Sequence, residues 1–143
     1  MRFVSIIHYP EWNDSRVTDV LRERGHSVEY RCHRTGDLLP DIGDFDGVIL
    51  GGGDVSVWQA DDEPFMEREI AYARAVVDAG IPYLGICLGA QILGAAYGST
   101  SSARPDGAAE FGLYPIEPTE SGADLFDGLD HVYQVHWEAV RSL

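Results

Sequence analysis

Apolar and polar positions follow two different periods along this chain. Residues 2–8 (Arg-Phe-Val-Ser-Ile-Ile-His) are nearly continuously apolar, the pattern of a strand covered on both faces, and end at His8-Tyr9-Pro10. The period then lengthens to that of a helix. Asp14 or Ser15 stands at the N-cap position, Val17, Val20 and Leu21 share one stripe, and Gly25 follows as the stop. Residues 26–32 predict a second strand. A polar stretch with Pro40 and Gly43 leads into Asp46-Gly47-Val48-Ile49-Leu50, a short buried strand that breaks into Gly51-Gly52-Gly53-Asp54. Asp61-Asp62-Glu63-Pro64 places acidic residues and a proline where a first helical turn accepts them. The helix it predicts runs to about Ala79 and stops at Gly80, with Ile70, Ala73, Val76 and Val77 facing the sheet and Arg68 and Arg74 outside.

Residues 81–94 join two patterns without a linker. Ile81-Pro82-Tyr83-Leu84-Gly85-Ile86 is an apolar run opened by proline and reads as a buried parallel strand. Leu88, Ile92 and Ala95 then recur at helical spacing, and only Cys87 lies between. A strand that turns straight into a helix at one nucleophilic residue is a nucleophile elbow, and glycines at 85 and 89 let backbone approach closely there. Such a turn presents the sulfur above the sheet at a helix N-terminus, whose dipole favours a thiolate. A buried core cysteine is the alternative, and the Gly-x-Cys-x-Gly frame argues against it. A thiolate attacking a carbonyl needs fixed donors for the developing oxyanion. The Leu88 amide is one, and Gly52 and Gly53, closing the neighbouring strand, offer others. A phosphate-binding loop would want Gly-Lys-Ser/Thr, which does not follow.

Further along, residues 99–109 are rich in Ser, Gly and Pro and predict a surface loop. Residues 111–117 predict a strand near an edge because of Pro115, residues 121–128 a short helical turn, and residues 131–136 a final strand. The order β-α-β-β-α-β-α implies a mostly parallel sheet with helices on both faces, whose active site lies beyond the carboxyl ends of the strands. His8, Gly51-Gly52-Gly53, Cys87 and His136 are assigned to those ends.

Composition narrows the reading. At 143 residues and 45% apolar the chain makes one folded domain, and no segment reads as a leader or a membrane span, so a cytoplasmic protein is expected. The net charge is −14, with ten basic residues that are all arginine, which disfavours nucleic acid and anionic membranes as partners. The same surface suits a high-salt, halophilic setting, and biased codon usage explains it equally. Cys32 and Cys87 make no disulfide framework, Cys32 reads as a small buried residue, and scattered histidines give no zinc spacing. No metal and no cofactor are expected. His26 and His33 flank the second strand and read as solvent-facing.

At this point the chain resembles a known family, the class I (triad-type) glutamine amidotransferases, most of all small stand-alone members akin to the glutaminase domain of GMP synthase. The resemblance is carried by residues 46–57, the elbow segment 79–91, Glu110-Phe111-Gly112-Leu113-Tyr114-Pro115-Ile116 and Tyr133-Gln134-Val135-His136-Trp137-Glu138, in the family's order. It implies a flavodoxin-like α/β three-layer sandwich, and hydrolysis of glutamine to glutamate and ammonia through a Cys87 thioester, with the ammonia passed to a synthetase or other acceptor. It also implies oxyanion amides from Gly53 and Leu88, and a glutamine site at Gln91, Gln134, Val135 and His136. Taken alone, Gln91 lies one turn beyond Cys87, facing the same pocket or simply exposed.

Two departures stand out. Asp54 replaces a proline usual after the family's glycine pair, bringing a carboxylate beside the oxyanion loop. The family's catalytic base and its orienting carboxylate form a His-x-Glu on a later strand; His136-Trp137-Glu138 has that spacing here but matches a different segment of the family, upstream of the catalytic pair. The expectation is a C-terminally incomplete domain with an open sheet edge. The competing functions are a catalytically dead glutamine-binding or regulatory module and a γ-glutamyl peptidase-like or DJ-1/PfpI-like cysteine hydrolase, with Glu11 a candidate acid.

Overall fold

The structure is a computed structural model that describes residues 1–58, 63–103 and 106–141. It divides into two compact units, residues 1–102 with 140–143, and residues 103–139.

The first unit carries the predicted alternation. β1 (Arg2–Ile6), α1 (Arg16–Glu23), β2 (Ser27–Arg31), β3 (Gly47–Leu50), α2 (Met66–Asp78), β4 (Tyr83–Gly85) and α3 (Leu88–Ala96) follow in that order. The four strands form one parallel sheet in the order β2-β1-β3-β4, with Val4 opposite Glu29 and Val48, and Ile49 opposite Leu84. Successive right-handed crossovers that run in opposite directions from the middle of such a sheet put their helices on opposite faces. Even-numbered Val4, Ile6, Val48 and Leu50 accordingly pack with Met66, Tyr72, Ala73 and Val76 of α2 and Leu88 and Ile92 of α3. Odd-numbered Phe3 and Ile49 line the other face together with Val17 and Leu21 of α1.

Helix ends follow local chemistry. Ser15 caps α1 by accepting the Thr18 amide, while the Thr18 hydroxyl reaches back to the Ser15 backbone amide. Gly25 and Gly80 take positive φ just past α1 and α2. Of the acidic start expected for α2, Asp61 and Asp62 lie outside the described residues; Glu63, Pro64 and Phe65 form the turn into Met66.

Three sequence-based expectations need correction. The strand at the elbow is not fully buried: Leu84 is 45% and Ile86 38% exposed. β4 is one of the two edge strands of the sheet, and α1 packs chiefly over β2, the opposite edge, which leaves Leu84 and Ile86 partly open. Residues 99–109 are not all loop, because β5 (Thr100–Ala103) forms a two-stranded sheet with β8 (Glu138–Arg141). The strand at 131–136 is neither the last nor parallel.

In the second unit, β6 (Glu110–Pro115) and β7 (His131–His136) form an antiparallel pair, with Gly112 opposite Gln134 and Pro115 opposite His131. His136 is therefore not at the carboxyl end of a parallel strand. The alternation of residues 131–136 gave period two, but that period does not distinguish a hairpin strand from a sheet strand. No helix among the described residues is long and apolar enough to cross a membrane.

Candidate active site

Cys87 sits where β4 ends and α3 begins, and it is exposed. Its backbone has φ +53° and ψ −110°, and among the described residues no other non-glycine has positive φ. An L side chain is crowded in that region, so the surroundings must hold it there. They do so with backbone hydrogen bonds. The Ile86 amide donates to the Leu50 carbonyl at 2.9 Å, the Gly89 amide to Gly51 and Ile86 carbonyls at 3.1 and 3.0 Å, and the Ala90 and Gln91 amides to the Cys87 carbonyl at 3.0 and 3.1 Å. The two flanking glycines are needed for contact, since a Cβ on Gly85 would lie 2.6 Å from the Gly89 carbonyl oxygen, and one on Gly89 would collide with the Leu50 carbonyl oxygen.

The same contacts bring the triple glycine to the thiol. Gly51 accepts the Gly89 amide, and a Cβ placed on Gly52 would stand 3.5 Å from the Cys87 Cβ. Gly53 is wedged between Leu88 and His8: a Cβ there would lie 2.6 Å from Leu88 Cδ2 and 3.3 Å from His8 Nδ1. Leu88 opens α3, so its amide belongs to the first turn, which lacks intrahelical acceptors. The site thus gathers an exposed thiol, a helix N-terminus and backbone without side chains. Gln91, one turn along, is only 8% exposed, which removes the reading of an exposed helix glutamine. Tyr83 donates its hydroxyl to the Gly89 carbonyl at 2.9 Å beneath the elbow; burial, then the nearby Glu69 charge, push that hydroxyl above the ordinary phenol range.

Behind the loop lies a group of side chains that the sequence reading did not assemble. His8, two residues past the end of β1, is fully buried; its Nδ1 lies 2.7 Å from the Gly52 carbonyl oxygen and its Nε2 2.9 Å from Glu69 Oε2. Glu69, fully buried on α2, also faces His33 Nδ1 at 3.3 Å. His33 is therefore not solvent-facing: it lies in a single 3-10 turn after β2 that carries its ring inward to Glu69. The signal available in the sequence was an acidic residue in line with Met66, Ala73 and Val76, on the face of α2 that must be apolar.

Asp54, expected beside the oxyanion loop, is engaged outward. The Tyr9 hydroxyl donates to its carboxylate, and Arg34 lies 3.3 Å away while also reaching Glu63 at 3.2 Å. The Tyr9 hydrogen bond, helped by Arg34, holds the Asp54 carboxyl below the ordinary carboxylate range. Glu11 is exposed, and Cys32 is buried as expected.

Gln134, Val135 and His136 belong to the second unit. There Gln134 and His136 share the inner face of β7, with His136 Nε2 2.6 Å from Gln134 Oε1 and 2.9 Å from Glu110 Oε2, and Val135 points to the exposed face. Among the described residues no group of three or more His, Cys, Asp or Glu is arranged to hold a metal ion.

Comparison with known proteins places the chain in a family and a fold. The family of class-I glutamine amidotransferases matches residues 12–142. A glutamine amidotransferase-like protein, YfeJ of Salmonella typhimurium, is 33% identical over 126 residues, covering 85% of this chain and 52% of that protein. The glutamine-hydrolyzing GMP synthase of Nitratidesulfovibrio vulgaris is 35% identical over 143 residues, covering 97% of this chain and 26% of the synthase. Among solved structures, a glutamine amidotransferase from Thermotoga maritima superposes with a TM-score of 0.85 at 25% identity, covering 98% of this chain and 62% of that one. The chain thus spans about half of one of these relatives, a quarter of another and less than two thirds of the third.

Proposed function

Because this chain belongs to the class-I glutamine amidotransferase family, we propose that it hydrolyses glutamine to glutamate and ammonia through a thioester on Cys87. The observation that carries the reading is the exposed Cys87 at positive φ with the Gly52 backbone packed against it. The thiolate attacks the γ-carbonyl carbon of glutamine. The carbonyl oxygen becomes an oxyanion that accepts hydrogen bonds from the Gly53 and Leu88 amides. Collapse expels the amine, which leaves as ammonia on gaining a proton, and water then cleaves the thioester to give glutamate and the free thiol. Gln91, one turn along α3 from Cys87 and buried, holds the substrate.

The relatives named as glutamine-hydrolyzing GMP synthases support an ammonia acceptor, a synthetase domain or subunit, as the partner. No nucleic acid or membrane enters the scheme, and a net charge of −14 disfavours both. Proton transfer needs a base, which the family draws from a His-x-Glu on a strand later than the segment that His136-Trp137-Glu138 resembles. The test is glutamate release from glutamine, measured for wild type and Cys87→Ala. Release by the wild type that is lost in the variant is expected. Glutamine binding without release would instead favour a binding module, and cleavage of γ-glutamyl peptides with glutamine inert a peptidase.

A further inference from the structure

Three ionisable side chains form a buried chain behind the glycine loop. His8 and Glu69 are fully buried and His33 nearly so. Glu69 occupies a place among Met66, Ala73 and Val76 where an apolar residue would serve the core as well or better, because desolvating a carboxylate is costly even when it is paired. Stability alone does not account for keeping such a group there.

The outer end of the chain touches the loop. A carbonyl oxygen only accepts, so His8 Nδ1 carries a proton and donates it to the Gly52 carbonyl, 2.7 Å away. Its Nε2 is held by Glu69 Oε2 at 2.9 Å, and Glu69 Oε1 is held in turn by His33 Nδ1 at 3.3 Å. There are no cis peptides among the described residues, so the Gly52-Gly53 peptide directs its N–H opposite to its C=O. Fixing the carbonyl on the His8 side fixes the Gly53 amide on the other. Two adjacent glycines have no side chain to set that plane, and both orientations are open to them. The reversed peptide would present a carbonyl oxygen where an oxyanion needs a donor.

We propose that His8, backed by Glu69 and His33, is a positioning residue that locks the Gly52-Gly53 peptide with the Gly53 amide free for the oxyanion at Cys87. The catalytic consequence rests on the glutaminase reading above; the locking of the peptide does not.

Removing one partner would strand the other, so the informative variant replaces both with apolar groups of similar size, His8→Phe with Glu69→Met. In the full-length protein its kcat for glutamine is expected to fall about 100-fold with KM changed by less than about threefold. Iodoacetamide should alkylate Cys87 at the wild-type rate, because that displacement builds no oxyanion. In ¹⁵N-glycine spectra the Gly53 amide should shift or broaden. Glu69→Gln keeps an acceptor for His8 and should recover most of kcat. Wild-type kcat in the double variant, or an unmoved Gly53 resonance, overturns the inference. So does a double variant too unstable to purify, since a network kept for positioning predicts a fold that survives its replacement. If the wild type hydrolyses no glutamine, the glutaminase reading falls and the Gly53 resonance alone decides this one.

Discussion

Replacing Cys87 with glycine and, separately, with alanine distinguishes the cost of its backbone from the loss of its sulfur. At φ +53° and ψ −110° an L residue is held against local sterics, at about 1–3 kcal/mol. Glycine escapes that strain but loosens the unfolded chain, returning about 0.4–1 kcal/mol. The side chain is exposed, so its removal forfeits little packing. Cys87→Gly should therefore raise the unfolding free energy by about 1 kcal/mol, or about 2–4 °C in Tm for a chain of this size. Cys87→Ala keeps a Cβ and hence the strain, and should stay within about 0.5 kcal/mol of wild type. Urea unfolding of the three proteins, with equal m-values as the check on comparability, reads the difference. A glycine variant no more stable than the alanine variant would refute the claim that the elbow stores backbone strain.

Gly89→Ala drives a Cβ into the Leu50 backbone, which cannot swing aside; a loss of about 3 kcal/mol or more is expected in urea unfolding. Gly53→Ala meets Leu88 Cδ2 at 2.6 Å, the end of a side chain that can rotate, so about 1–2 kcal/mol is expected in the same assay. Its glutaminase rate should nonetheless drop about 100-fold, measured as glutamate release, because the oxyanion peptide is displaced. Asp54→Asn tests the outer cluster. A folded-state carboxyl held low contributes stability that is present above the ordinary carboxylate range and lost as pH falls through and below it. The variant should be about 0.2–1 kcal/mol less stable than wild type at neutral pH, given an exposed carboxylate, and equal to it at strongly acid pH. A difference that does not change with pH would count against the Tyr9 and Arg34 contacts.

The parallel core was legible because its signals are local. Apolar runs in β1 and β3, the glycine stops after α1 and α2, and Gly-x-Cys-x-Gly each specify backbone within a few residues. The exposed face of β4 was hidden, because an apolar run reads the same at the centre of a sheet and at its edge, and only the strand order separates them. His8, Glu69 and His33 lie far apart in sequence, and only the crossovers bring them to one place. Glu69 could have been singled out as a carboxylate on the apolar stripe of α2, but its partners could not. Residues 131–136 show the converse limit: their alternation predicts a strand and says nothing of whether its neighbour runs parallel or antiparallel.

The account turns on covalent chemistry at one sulfur. Rapid acid quench of the full-length protein turning over glutamine, followed by peptide mass spectrometry, reads it directly. A γ-glutamyl group found on the peptide carrying Cys87, and absent in Cys87→Ala, is the predicted result. Steady glutamate release with that peptide unmodified, or undiminished release by Cys87→Ala, would contradict it.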